Sequence, residues 1–174
     1  MESEKNSPQA RHRGQARVRL AKGEKDFEEI FKLCALAHRE GQYGHLPLDE
    51  AGLRRQIDHD INAEKTNGII LAEQENGVGE TEVLGLLSAV AGKLAFVNVI
   101  SASALIFYIK PEARDIRTAS LLLKAFEKWA QNRKAYDLAI HVTMGREDDV
   151  RVSRLLNRFG FKSTGGGSHF RVLC

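Results

Sequence analysis

The residues Ile109-Lys110-Pro111-Glu112-Ala113-Arg114-Asp115-Ile116-Arg117-Thr118-Ala119 run directly into Ser120-Leu121-Leu122-Leu123-Lys124-Ala125-Phe126-Glu127-Lys128-Trp129. An apolar strand stops at a proline, a short basic loop follows, and an amphipathic helix begins. Such a layout leaves backbone N–H groups of the loop and the first helical turn unpaired beside two fixed positive charges, Arg114 and Arg117. A phosphate or pyrophosphate is the ligand that this chemistry suits. A strand–loop–helix with an arginine in the loop is also common as plain structure, so the spacing alone leaves both readings open.

In bulk the chain is ordinary. Its 174 residues suit one domain with a sizeable core. A hydrophobic fraction of 43% and a charged fraction of 28% match a soluble globular protein. No apolar run reaches the roughly 20 residues that span a bilayer. Residues 1–15 are polar and basic without an apolar core, unlike a secretory signal. Cys34 and Cys174 have neither metal-like nor CxxC spacing, so the expectation is reduced thiols in a cytoplasmic protein, with no metal. The formal net charge is +3, with positive residues gathered at Arg11, His12, Arg13, Arg17 and Arg19. A basic arm of this kind can meet an acidic partner or nucleic acid. A solvated, mobile tail over 1–15 is the plainer expectation, and the lack of interleaved aromatics argues against a nucleic-acid role.

The elements that must position the loop follow from periodicity. Residues 16–21 alternate Val18 and Leu20 against Arg17 and Arg19 as a first strand. Asp26 with Glu29 reads as a capping box that opens a helix to Arg39, with Phe27, Ile30, Phe31, Cys34 and Ala37 on its apolar stripe. A glycine-punctuated loop carrying Tyr43 and His45 leads to a second helix capped by Asp49, with Leu53, Ile57 and Ile61 inward. Apolar runs at 69–71 and 83–90 flank the turn signals Asn76-Gly77 and Gly79 as a hairpin. Residues 94–99 continue or follow the second of these strands, and 104–110 is a further strand. The helix at 118–133 buries Ala119, Leu122, Phe126, Trp129 and Ala130. A strand at 136–143 and a helix capped by Asp148 or Asp149 follow, the helix turning Val152, Leu155, Leu156 and Phe159 inward up to Gly160. Gly165-Gly166-Gly167 leads to a closing strand at 169–173. The order is β-α-α-β-β-β-α-β-α-β, a mixed α/β sheet with helices on its faces in one domain over 16–174.

Residues 68–173 resemble a GCN5-related N-acetyltransferase (GNAT), and among these the small phage- or prophage-type members. The words that carry the resemblance are Tyr108-Ile109-Lys110-Pro111-Glu112-Ala113-Arg114, Leu123-Lys124-Ala125-Phe126-Glu127-Lys128-Trp129-Ala130 and Asn157-Arg158-Phe159-Gly160-Phe161. Their order and spacing fit that family's central strand, cofactor helix and last helix. The first half fits only the element order. The resemblance implies an acetyl-coenzyme A site at Arg114, Asp115, Ile116, Arg117, Thr118 and Ala119. The family frame there has Gln or Arg first and Gly or Ala last, which Arg114 and Ala119 match. Its middle glycine is replaced by Arg117. Backbone donors still point at the pyrophosphate if Arg117 keeps negative φ, and the guanidinium can add charge-assisted bonds. A clash from the added Cβ is the opposing reading. The backbone of Phe107, Tyr108 and Ile109 would pair with the pantetheine arm.

Acetyl transfer needs a free amine, a stabilised oxyanion and a leaving thiolate. The family commonly protonates the thiolate with a tyrosine four residues before the Gly of its Gly-Phe ending, where this chain has Leu156. It often carries a strand glutamate as base, and Ser103-Ala104-Leu105 has no carboxylate. Proximity alone still supplies much of the rate. The substitutes for these groups are Tyr108 on the central strand and His141 on the strand after the cofactor helix. For each, a satisfied structural residue is the plain alternative. Tyr43 and His45 sit on the loop that borders the acceptor pocket in this fold, an ordinary surface loop being the other reading. The implied partners are acetyl-coenzyme A and an amine acceptor, a protein lysine or N-terminus or a small amine, with the chain a monomer or homodimer. The alternative function is a catalytically degenerate member of the fold that binds a host protein or nucleic acid.

Overall fold

Alternating polarity forms β1 (Arg17–Leu20), apolar runs lie inside β2 (Asn67–Glu75) and β3 (Thr81–Lys93), and β4 (Ile100–Ile109) and β5 (Ala135–His141) follow. Helical spacing gives α1 (Gly23–Glu40), α2 (Glu50–Asn62), α3 (Ile116–Gln131) and α4 (Asp149–Arg158). The chain closes with β6 (Lys162–Gly165) and β7 (Ser168–Val172). The structure is a computed structural model that describes residues 14–142 and 149–173. The basic tail at 1–13, Asp148 as a helix cap, the strand end at Thr143, and Cys174 lie outside the described residues.

One sheet in the order β1-β2-β3-β4-β5-β7-β6 holds these strands. Every neighbouring pair is antiparallel except β4 and β5, which run parallel. Parallel neighbours need a crossover, and α3 supplies it. The mixed α/β sheet expected from the sequence is therefore the fold. One strand is added to the expected order: β6 pairs with β7 as a hairpin around the three glycines. Gly165, Gly166 and Gly167 all have positive φ, which is how so tight a reversal closes.

Two further expectations change. Residues 94–99 are the connection between β3 and β4 rather than strand, with Phe96 almost wholly exposed. Asp26 does not cap α1. The helix starts three residues earlier, and Asp26 is buried within it. Its carboxylate accepts two bonds from the Arg19 guanidinium, at 2.7 and 2.8 Å, and one from the Lys22 N–H at 2.7 Å. A tertiary ion pair outweighed the local capping pattern. Asp49 does cap α2, accepting from the Gly52 N–H at 2.9 Å.

The sheet separates two cores. On one face α1 and α2 bury Ile30, Leu33 and Ile57 against Leu71, Leu86 and Tyr108. On the other, α3 and α4 bury Leu122, Phe126, Trp129 and Leu156 against Ile70, Leu87, Leu138 and Ile140. Each such side chain taken fully out of water contributes about 1.5–3 kcal/mol. At Gly68 the α3 face comes so close that a Cβ would lie 2.3 Å from the Trp129 indole nitrogen, so no larger residue fits without displacing the helix. The consequence for the site is that α3 is held rigidly under β2 and β3, with its first turn at the C-terminal end of β4.

Candidate functional site

The parallel pair β4 and β5 is paired only from Ile100 to Ala104, the last partner of Ala104 being Ile140. Beyond that point the strands part. On its other side β4 stays paired to β3 as far as Ile109, with one irregularity that leaves Leu105 without a partner. Leu105 is a bulge residue at the fork, and it is 54% exposed. The backbone groups of 105–109 that point away from β3 therefore have no strand beside them. An extended ligand can take that place with backbone hydrogen bonds.

A cleft of about 330 Å³ opens on the α3–α4 side of this fork. Phe107 and Ile109 from β4, Ile116 and Ala119 from α3, and Val152 and Leu155 from α4 give it an apolar wall. Arg114, Arg151, Arg154 and Arg158 supply positive charge, and Asp115 the one carboxylate in its lining. Four arginines in one apolar cleft suit a ligand with an extended body and an anionic end.

The loop expected to hold phosphate divides between two surfaces. Arg114, Asp115, Ile116 and Ala119 line the cleft. Arg117 and Thr118 instead line a second groove of about 350 Å³ on the other side of the helix start, with Glu75, Glu82 and Glu112, and Asp115 borders both. Arg117 lies in the first turn of α3 with ordinary negative φ, as the phosphate reading required. The surprise is Asp115. It is the N-cap of α3, and its carboxylate accepts from the Thr118 N–H at 2.6 Å. The Ala119 N–H turns back to the Asp115 carbonyl at 3.3 Å. Of the first-turn donors, the N–H groups of Ile116 and Arg117 keep no partner among the described residues. Asp115 thus does for the helix what a phosphate would do, and sets a negative charge in the same place.

Tyr108 is fully buried on the α1–α2 face, away from the cleft. Its hydroxyl donates to Glu40 Oε1 at 2.6 Å. The other Glu40 oxygen accepts from the Arg114 guanidinium, whose Nε–H donates to the Ile109 carbonyl at 2.9 Å. The guanidinium also lies 5.5 Å from the Tyr108 ring centroid. Glu40 ends α1, so this cluster ties the loop after α1, which carries Tyr43 and His45, to the loop before α3. Tyr43 is exposed on that connecting loop, and so is His45. His141 is exposed at the fork, one residue beyond the last β4 pairing, with its Nδ1 2.9 Å from Ser168 Oγ. Leu156 is fully buried in the α3–α4 core. Where the resemblance places a phenol there is only packing.

Sequence reasoning missed Glu40 and the arginines of α4. Glu40 carried no local signal, because its partners lie 68 and 74 residues away. Arg151, Arg154 and Arg158 did carry one: they recur at i, i+3 and i+7 beside an apolar stripe.

No family model matches the chain, and no curated protein matches it in sequence. Solved structures do match in fold. An acetyltransferase of the GNAT family from Staphylococcus aureus Mu50 superposes with a TM-score of 0.67 at 11% identity, over 92% of this chain and 100% of that one. AAC(6')-Iy in complex with the bisubstrate analog CoA-S-monomethyl-acetylneamine gives 0.65 at 16% identity, over 92% and 97%. A transcriptional regulator from Bacillus halodurans C-125 gives 0.63 at 21% identity, over 87% and 95%. At these identities the likeness is one of fold, and it includes GNAT acetyltransferases beside a protein named for another role.

Proposed function

We propose that the chain transfers an acetyl group from acetyl-coenzyme A to an amine. The observation that carries this reading is the fork: β4 leaves β5 after Ala104, a bulge exposes Leu105, and an arginine-bearing cleft opens beside the unpaired edge. The residues present fit the coenzyme in two respects. The edge of β4 at 105–108 that faces away from β3 can pair with an amide-bearing arm, with Phe107 and Ile109 as its apolar wall, and the cleft arginines suit its phosphates. Only the Asp115 carboxylate opposes it. The coenzyme supplies the activated acyl group; the chain supplies position and charge.

Backbone N–H groups at the bulge are the donors for the developing oxyanion. His141 is the group to receive the amine's proton. In the tautomer whose Nδ1–H donates to Ser168 Oγ, Nε2 carries the lone pair that takes the proton. Tyr108 has a different part. Its hydroxyl proton is engaged by Glu40, so it braces the acceptor-side loop against the coenzyme loop rather than serving the sulfur. The acceptor, a protein lysine or N-terminus or a small amine, enters past Tyr43 and His45.

The test is thiol release from acetyl-coenzyme A across a panel of amines and peptides. Turnover is expected, with kcat about 100-fold lower in His141→Gln and within about threefold of normal in Tyr108→Phe. Tight coenzyme binding with no thiol release from any acceptor would refute transfer and favour the binding-protein reading.

A further inference from the structure

Arg114 follows β4 and its side chain is shared between two parts of the site. It lines the cleft, where its charge suits the coenzyme's phosphates. Its Nε–H donates to the Ile109 carbonyl at 2.9 Å, and its Nη2 donates to Glu40 Oε2. Glu40 is the last residue of α1, and the loop that follows carries Tyr43 and His45. That loop is folded on itself: the Gly44 N–H donates to the Gly41 carbonyl and the Leu46 N–H to the Tyr43 carbonyl, both at 2.9 Å. A Cβ at Gly44 would lie 2.3 Å from the Arg39 carbonyl oxygen, so the loop doubles back against the last turn of α1. Whatever fixes that turn therefore fixes the loop. The Glu40 carboxylate takes the Tyr108 hydroxyl at 2.6 Å, which anchors the end of α1 to β4. Arg114 and Glu40 are only 26% and 28% exposed, so solvent and salt screen their charges in part. A carboxylate bonded to a guanidinium lowers the positive potential that an incoming phosphate meets. Glu40 thus acts on the coenzyme side and on the acceptor side, with opposite effects.

We propose that Glu40 is a positioning residue of the transfer site: it holds the acceptor loop against β4 and the coenzyme loop, and in doing so weakens the hold of Arg114 on the coenzyme's phosphates. It works through Arg114 on one substrate and through the end of α1 on the other. Removing its charge makes Arg114 more attractive to phosphate and leaves the loop at 41–46 less ordered. The two changes run in opposite directions, whereas a residue needed only for the fold would harm both. The identity of the ligand rests on the acetyl-coenzyme A reading above, but the charge relation between Glu40 and Arg114 does not.

The experiment is calorimetry of the whole chain with coenzyme A and with inorganic pyrophosphate, joined to amide hydrogen exchange at 41–46. Glu40→Gln keeps the size and one acceptor oxygen but loses the charge, and Glu40→Asp keeps the charge. Glu40→Gln is expected to bind coenzyme A about threefold or more tightly than the native chain. Its Gly44 and Leu46 amides are expected to exchange about tenfold faster. Glu40→Asp is expected to return the coenzyme affinity to within about twofold of native. Tyr108→Phe removes an anchor and leaves the charge, so it is expected to speed exchange while the affinity stays within about twofold. Unchanged or weaker coenzyme A binding in Glu40→Gln, or unchanged exchange, would overturn the role of Glu40 and leave the acetyl-transfer reading intact. Tighter pyrophosphate binding with faster exchange in Glu40→Gln, and no coenzyme A binding by either protein, would uphold that role and sink the reading. Binding of neither ligand by either protein would overturn both. If a thermal melt shows Glu40→Gln unfolded, Tyr108→Phe still decides, since unchanged exchange there overturns the anchor.

Discussion

Two groups of arginines lie at opposite ends of the sheet order, and they are in opposite states. Arg17 and Arg19 on β1 are matched to Glu73 on β2 and Asp26 on α1, with all four ion contacts between 2.7 and 2.8 Å. Both carboxylates are almost fully buried, at 3% and 4% exposure. The Arg19 hydrogen bond holds Asp26 below the usual carboxylate range, against burial acting the other way. Burial pushes Glu73 up, but the hydrogen bonds from Arg19 and Arg17 outweigh it and the net shift is downward. On α4, Arg154 and Arg158 line a cleft and form no ion pair with any of the described residues. Residue type is the same in both places. Pairing separates a closed structural cluster from a surface that still has charge to offer.

The comparison breaks first at Arg19. Arg19→Met leaves buried Asp26 without its guanidinium and Glu73 with Arg17 alone, and should lower stability by about 3 kcal/mol. The readout is a fall in the urea midpoint at constant slope. A loss below about 1 kcal/mol would mean that the cluster on β1 is no more closed than the arginines on α4. Acid is the next probe. Because the folded values of Asp26 and Glu73 lie below their ordinary 3.8 and 4.5, their contribution is complete above that range. It drains as the pH falls through the lowered values. Stability measured from pH 6 down to pH 2 should therefore decline, and Arg19→Met should flatten the decline. A slope unaffected by that variant would place the acid sensitivity elsewhere. The smallest effect belongs to the other group: Arg158→Ala should change stability by less than about 0.5 kcal/mol while weakening coenzyme A. A large loss of stability would show Arg158 to be structural.

A similar contrast divides the cysteine and histidine candidates. Cys34 is buried in the α1–α2 core, and burial, with the Asp60 charge beside it, pushes its thiol up to about 12. It is an inert packing residue. His141 is exposed where β4 and β5 part, so the two side chains differ in access.

Much of the fold was readable because its signals are local. Alternation marked β1, apolar runs marked β2 and β3, a 3.6-residue stripe marked α3, and Asn76-Gly77 marked the hairpin, all of them signals carried by neighbouring residues. The glycine run at 165–167 was read only as a lead-in, and β6 was lost because four exposed residues carry no apolar pattern. The loop at 109–119 was also visible as a place for an anion. Its detailed chemistry was not. Asp115 caps the helix that was expected to hold phosphate, and Arg117 faces an acidic groove.

By itself the sequence determined the order of elements apart from β6, the strand–loop–helix at the end of β4, and the apolar character of Leu156, because each depends on neighbours within a few turns of chain. Tertiary structure decided which charges cancel. Arg19 found Asp26 and Glu73, Glu40 found Tyr108 and Arg114, and Arg171 found Glu127. Coulomb attraction and desolvation act through space, over separations of up to 74 residues here, and no local pattern encodes which side chains will meet.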